Sequence, residues 1–177
     1  MYKVESYKDG MALIAGDSSV PALRATYQVA SLEEAQKIVV GFNASVLYER
    51  LAAMRYSREE GGVDIGGTRL RTDEISMRKL TSAFVSLGNG LVPDVDWKGM
   101  DTWGRITFKE IQPFAKAAAA HSRACFRGER EVQEAIAAAT TIEATEAIDV
   151  GRLFDKAYAE AFAEVMSPSE TTAQATT

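Results

Sequence analysis

Short apolar runs open the chain and long helical stripes follow. Residues 2–7, 11–14 and 25–29 are β-type runs, separated by Asp9-Gly10 and by Gly16-Asp17-Ser18-Ser19 with Pro21 close behind. This punctuation predicts a small hairpin or meander over residues 1–30. So short a sheet cannot bury a core of its own. It must lie on the rest of the chain or pair with a strand of another subunit.

Ser31-Leu32-Glu33-Glu34 has the form of a capping box, in which the serine hydroxyl accepts from the Glu34 amide and the Glu34 carboxylate returns to the serine amide. From there Ile38, Val39, Phe42, Val46, Leu47, Leu51 and Met54 recur at helical spacing, predicting one buried stripe to about Ser57. Gly41 and Asn43 lower helix propensity without ending the helix, and Gly61-Gly62 stops it. Gly66-Gly67, between residues 63–65 and 68–70, predicts a tight hairpin. Thr72-Asp73-Glu74 then caps an amphipathic helix carrying Ile75, Leu80, Phe84 and Leu87, which ends near Gly88-Asn89-Gly90.

A second hairpin is expected from residues 95–97 and 103–106, turning around Lys98-Gly99-Met100-Asp101. Thr107-Phe108-Lys109-Glu110 repeats the capping box and announces the longest helix, which Pro113 should either start or bend and Gly128 kink or split. Asp149 can cap a last helix in which Phe154, Tyr158 and Phe162 fall four residues apart, with Val165 on the same side. The alternation of short hairpins with helices predicts an α+β fold. Along the chain it suggests a β segment at 1–30 serving as an assembly contact, an α+β domain at 31–148, an amphipathic helix at 149–166 and a polar tail at 167–177. That tail, rich in Ser and Thr, is expected to lack structure alone.

Composition narrows the function classes. With 46% hydrophobic and 25% charged residues the 177-residue chain is too apolar for wholesale disorder. No apolar run approaches the roughly 20 residues of a membrane span, and the first residues lack the apolar core of a secretory signal. The chain is therefore expected to be soluble and made in the cytoplasm. Its net charge of −5 hides an uneven spread, with +3 over residues 101–130 and −7 over 131–177. The basic stretch is too sparse for a nucleic-acid binder, and the acidic end disfavours an anionic membrane.

One cysteine and one histidine leave too few ligands for a closed zinc site and exclude an internal disulfide. His121 and Cys125 lie four apart on one helix face, the spacing of a nucleophile and its base. Their alanine-rich surroundings offer neither an orienting group nor oxyanion donors, which favours core packing. Gly61-Gly62 and Gly66-Gly67 lack the lysine and hydroxyl residue of a phosphate loop. Asp94, Asp96 and Asp101 beside Trp97 and Trp103 suggest a weak calcium or sugar site, or simply turn aspartates beside strand tryptophans. The stripe of Phe154, Tyr158, Phe162 and Val165 is either intramolecular core or a seam between subunits, and its place outside the middle domain favours the seam. No catalytic residue, cofactor or metal is expected.

The ordered series Arg55-Tyr56, Glu59, Gly61-Gly62, Gly66, Thr72-Asp73 with Ser76, Trp97-Lys98, Ile106-Thr107 with Glu110, His121, Cys125-Phe126 and Ile136 resembles a domain family of unknown function. That family recurs in tailed-bacteriophage and prophage proteins associated with tails or tail fibres, and the resemblance covers about residues 49–148. Met77 and Pro113 depart from its pattern. The resemblance implies a virion structural protein of the tail region, a connector or fibre-attachment subunit made in the host cytoplasm. Its partners would be copies of itself and other tail proteins rather than a small molecule. The alternatives are a fibre-assembly chaperone absent from the virion and a small hydrolase using His121 and Cys125.

Overall fold

A computed structural model describes residues 1–98 and 103–167. The fold is α+β: three antiparallel strands, a long helix, two hairpins enclosing a second helix, and three closing helices. The chain divides into two compact units, one formed by Met1–Arg55 and Gly128–Lys156 and the other by Tyr56–Arg127 and the described residues from Ala157 on. Their boundaries fall inside long helices rather than at the segment ends read from the sequence.

In the first unit, β1 (Tyr2–Lys8), β2 (Met11–Gly16) and β3 (Arg24–Gln28) form an antiparallel sheet in the order β1-β2-β3. The register slips by one residue between Val4 and Ser6, a bulge at Glu5. Alternation decides the buried face, because successive strand side chains point to opposite sides. Ala12 and Ile14 turn inward, where Ile14 and Tyr2 pack with Val39 of α1 (Leu32–Glu60), while Ala12 packs with Ala35. The meander thus lies on its own chain.

The buried residues of α1 are Ala35, Val39, Asn43, Leu47 and Leu51, a row spaced by four in which one member is an amide. Asn43 is 0% exposed. Its Oδ1 accepts from the Tyr2 amide at 2.8 Å, and its Nδ2 donates to the Tyr2 carbonyl at 3.2 Å and to Thr145 Oγ1 at 3.3 Å. A residue read from the sequence only as a weak helix former therefore pins strand β1 and helix α4 (Ile142–Glu146) to α1.

The cap of α1 is a shifted box. Ser31 Oγ accepts from the Glu34 amide at 3.2 Å, but the Glu34 carboxylate reaches the amide of Ala30, at 2.6 Å, one residue beyond the expected donor. Helix α4, capped by Thr141, is too short to show apolar periodicity and was not expected.

In the second unit, β4 (Val63–Ile65) and β5 (Thr68–Leu70) form a hairpin whose loop residues Gly66 and Gly67 have φ of +54° and +80°. Only glycine enters that region freely, which explains the doublet. Helix α2 (Glu74–Gly88) takes its cap from Asp73, whose carboxylate accepts from the Ser76 amide. Strands β6 (Val95–Lys98) and β7 (Trp103–Ile106) pair as the second hairpin. Of the expected turn between them, Gly99, Met100 and Asp101 lie outside the described residues, as does the expected polar tail beyond Ser167. Leu80, Leu87, Ile111 and Ala118 form the core, with Trp97 and Phe84 packed against it.

Helix α3 (Phe108–Ala138) runs unbroken: it begins before Pro113 rather than at it, and Gly128 does not split it. Proline costs the bond to the Lys109 carbonyl and crowds that turn, but the alanine-rich run beyond it carries the helix on. Gly128 serves packing instead. A Cβ there would lie 3.0 Å from the ring of Phe154, which is fully buried. Helix α5 (Val150–Met166) follows, with Asp149 Oδ1 accepting from the Arg152 amide at 3.0 Å as expected.

Candidate functional site

Helix α1 ends with carbonyls that have no partner within the helix. One of them, that of Glu59, becomes the centre of a polar cluster in the second unit. It accepts from Thr72 Oγ1 at 2.5 Å and from His121 Nε2 at 3.1 Å. Thr72 Oγ1 in turn accepts from the Gly62 amide at 2.9 Å. Thr72 was expected to help cap α2; it closes the end of α1 instead.

These partners fix the histidine tautomer. A carbonyl oxygen only accepts, so Nε2 carries the proton and Nδ1 holds the lone pair. Nδ1 accepts from the Tyr158 hydroxyl at 2.6 Å. The ring is 1% exposed, and burial holds its pKa below the ordinary 6.5 because a charged imidazole would be poorly solvated there. Burial likewise raises the pKa of the Tyr158 phenol, with the neighbouring Cys125 adding to the effect.

Cys125 Sγ lies 3.9 Å from His121 Nε2, so the sequence spacing does bring thiol and imidazole together. The nearer nitrogen is the protonated one, however, and the lone pair is committed to Tyr158. In this arrangement the imidazole has no basic nitrogen facing the sulfur, and both side chains are buried. The geometry is that of a helix-end staple: His121 on α3 joins the end of α1 to Tyr158 on α5. The staple is extended by the Tyr158 ring, which stacks on Phe162 at 5.9 Å between centroids and lies 5.2 Å from the Arg58 guanidinium. Arg123 adds bonds to the Ala161 carbonyl at 2.8 Å and to the Glu164 carboxylate at 2.6 Å.

The expected seam of Phe154, Tyr158, Phe162 and Val165 is corrected in part. Phe154 is buried against Gly128 within the first unit, and Tyr158 is held by His121 within the second. Tyr158, Phe162 and Val165 all keep partial exposure, so only Phe154 is withdrawn from the surface. The small volume of Gly128 is what admits Phe154, a pairing that spacing along one helix cannot reveal.

The aspartates near the second hairpin serve Arg105, whose Nε lies 3.6 Å from Asp94 and 4.0 Å from Asp96. Asp101 lies outside the described residues. Among the described residues no group of three or more His, Cys, Asp or Glu side chains is placed to hold a metal ion. The two tryptophans part company: Trp97 packs on the core, whereas Trp103 is 70% exposed with the Lys98 ammonium 5.7 Å from its ring centre. Between α2 and this hairpin runs a groove of about 650 Å³ lined by Ala83, Leu91, Val92, Val95 and both tryptophans. Sequence reasoning had not placed Leu91 there, although it is 72% exposed.

Gly61-Gly62 binds within the fold: the Gly61 carbonyl accepts from Arg69, which also pairs with Asp64 at 2.6 Å. Among the described residues no helix is long and apolar enough to cross a membrane. A family model described as a domain of unknown function, DUF4376, matches residues 44–150. No curated protein and no solved structure matches the chain.

Proposed function

The chain belongs to the DUF4376 family, and from that premise we propose that it is a structural subunit of a bacteriophage tail, a connector or fibre-attachment piece that works by protein contacts. The carrying observation is how its chemistry is spent. The one histidine and one cysteine are consumed inside a helix-end staple, while large apolar side chains stay on the surface. Leu91 and Trp103 border a single groove, the kind of exposed apolar surface that subunits cover when they assemble. The tail setting is part of the proposal and rests on the resemblance noted for residues 49–148. The partners are copies of the same chain and other tail proteins, with the product carried in the virion after synthesis in the host cytoplasm.

Disrupting the gene in a producing phage tests the role. Electron microscopy is expected to show particles lacking a tail part, with infectivity restored by the wild-type gene and by Cys125→Ala. Intact tails without the gene contradict the proposal, and failure of Cys125→Ala with normal protein levels would favour thiol chemistry instead.

A further inference from the structure

The two edges of the N-terminal sheet are finished differently. In the β2–β3 pair the Gly16 amide donates to the Leu23 carbonyl and the Val29 amide to the Gly10 carbonyl, with Ile14 opposite Ala25 and Ala12 opposite Tyr27. Hydrogen-bonded positions alternate along an antiparallel pair. Residues 23, 25, 27 and 29 therefore bond toward β2, and the backbone N–H and C=O groups of Arg24, Thr26 and Gln28 point away from the sheet. Among the described residues no backbone group takes them up.

The β1 edge, by contrast, is closed at its start and guarded further along. Both outward backbone groups of Tyr2 are bonded by the Asn43 amide, which stands in for a residue of another strand. The bulge at Glu5 and the exposed Lys3 and Lys8 protect the remainder, the usual devices against unwanted strand pairing. On β3 the one charged side chain is drawn off the edge. Arg24 reaches across β2 to Glu5, with its Nη2 2.9 Å from the carboxylate.

We propose that β3 pairs antiparallel with β3 of a second copy, about a two-fold axis beside Thr26, a self-association that rests on the assembly role given above. In this register Thr26 faces Thr26 of the other copy and Arg24 faces Gln28. No like charges meet, and each pair exchanges two backbone hydrogen bonds. Two three-stranded sheets become one continuous sheet, an isologous contact that closes on itself as a dimer.

Light scattering coupled to size-exclusion chromatography on the full chain, over a wide concentration range, tests the pairing. The wild type is expected to dimerise, with amide exchange slowed at Thr26 and Gln28. Thr26→Pro removes an outward N–H without touching the β2 ladder, and it should be monomeric with an unchanged far-ultraviolet spectrum. Gln28→Arg sets like charges opposite each other at two symmetric places and should raise the dissociation constant about tenfold; it decides the matter if Thr26→Pro does not fold. A monomeric wild type, or a folded Thr26→Pro that still dimerises, overturns the pairing. Neither result bears on whether the chain is present in phage particles, which tests the tail role separately.

Discussion

His121 is kept neutral by its neighbours, and that has a consequence for stability. Its folded-state pKa lies below the ordinary 6.5, so as pH falls the unfolded chain takes up the proton first. The stabilisation is complete above 6.5 and is lost as pH drops toward the lowered folded value. It is the chain's one histidine, and no other side-chain type ordinarily titrates between pH 7.5 and 5.5. The urea midpoint is therefore expected to fall as the pH is lowered over that range. A constant midpoint would mean that the imidazole is not held neutral in the fold. The sequence showed that His121 and Cys125 share a helix face, since spacing along one helix fixes that. It could not show that the imidazole bonds a carbonyl 62 residues away, because that pairing belongs to the tertiary fold. Asn43 escaped notice for the same reason: an amide in a helix reads as a weak helix former until the strand it serves is in place.

Caps and turns were the most legible elements, because their chemistry is local. Ser31, Asp73, Thr107 and Asp149 each accept from or bond a group within three residues, and Gly66-Gly67 closes its hairpin. The continuity of α3 was legible only in part: the alanine-rich run beyond Pro113 stands in the sequence, but the close packing of Gly128 on Phe154 does not. Gly128→Ala makes the point measurable. Alanine improves helix propensity by about 1 kcal/mol, but its Cβ would crowd the Phe154 ring at 3.0 Å, and overpacking a filled core costs about 1–3 kcal/mol. Because Phe154 is enclosed and cannot move aside cheaply, the crowding should win and the melting temperature should fall. A higher melting temperature would show that the ring yields and that the glycine is not there to admit it.

At the scale of the whole molecule, the segments read along the sequence do not coincide with the compact units, since α1, α3 and α5 each contribute residues to both. Periodicity marks where a helix runs but not where its neighbours change. Charge at this scale is uneven, acidic toward the end, yet the polar groups with chemical potential are used to hold helices together. Surface features among the described residues open to a partner are a groove edged by Leu91 and Trp103, the outer edge of β3, and the partly exposed Phe162 and Val165. On the reading proposed above, such a molecule acts by being built into something. Quantitative mass spectrometry of purified phage particles tests this most directly. The chain should be present in several copies per particle at a fixed ratio to other tail proteins, and its absence from intact infectious particles would contradict the account.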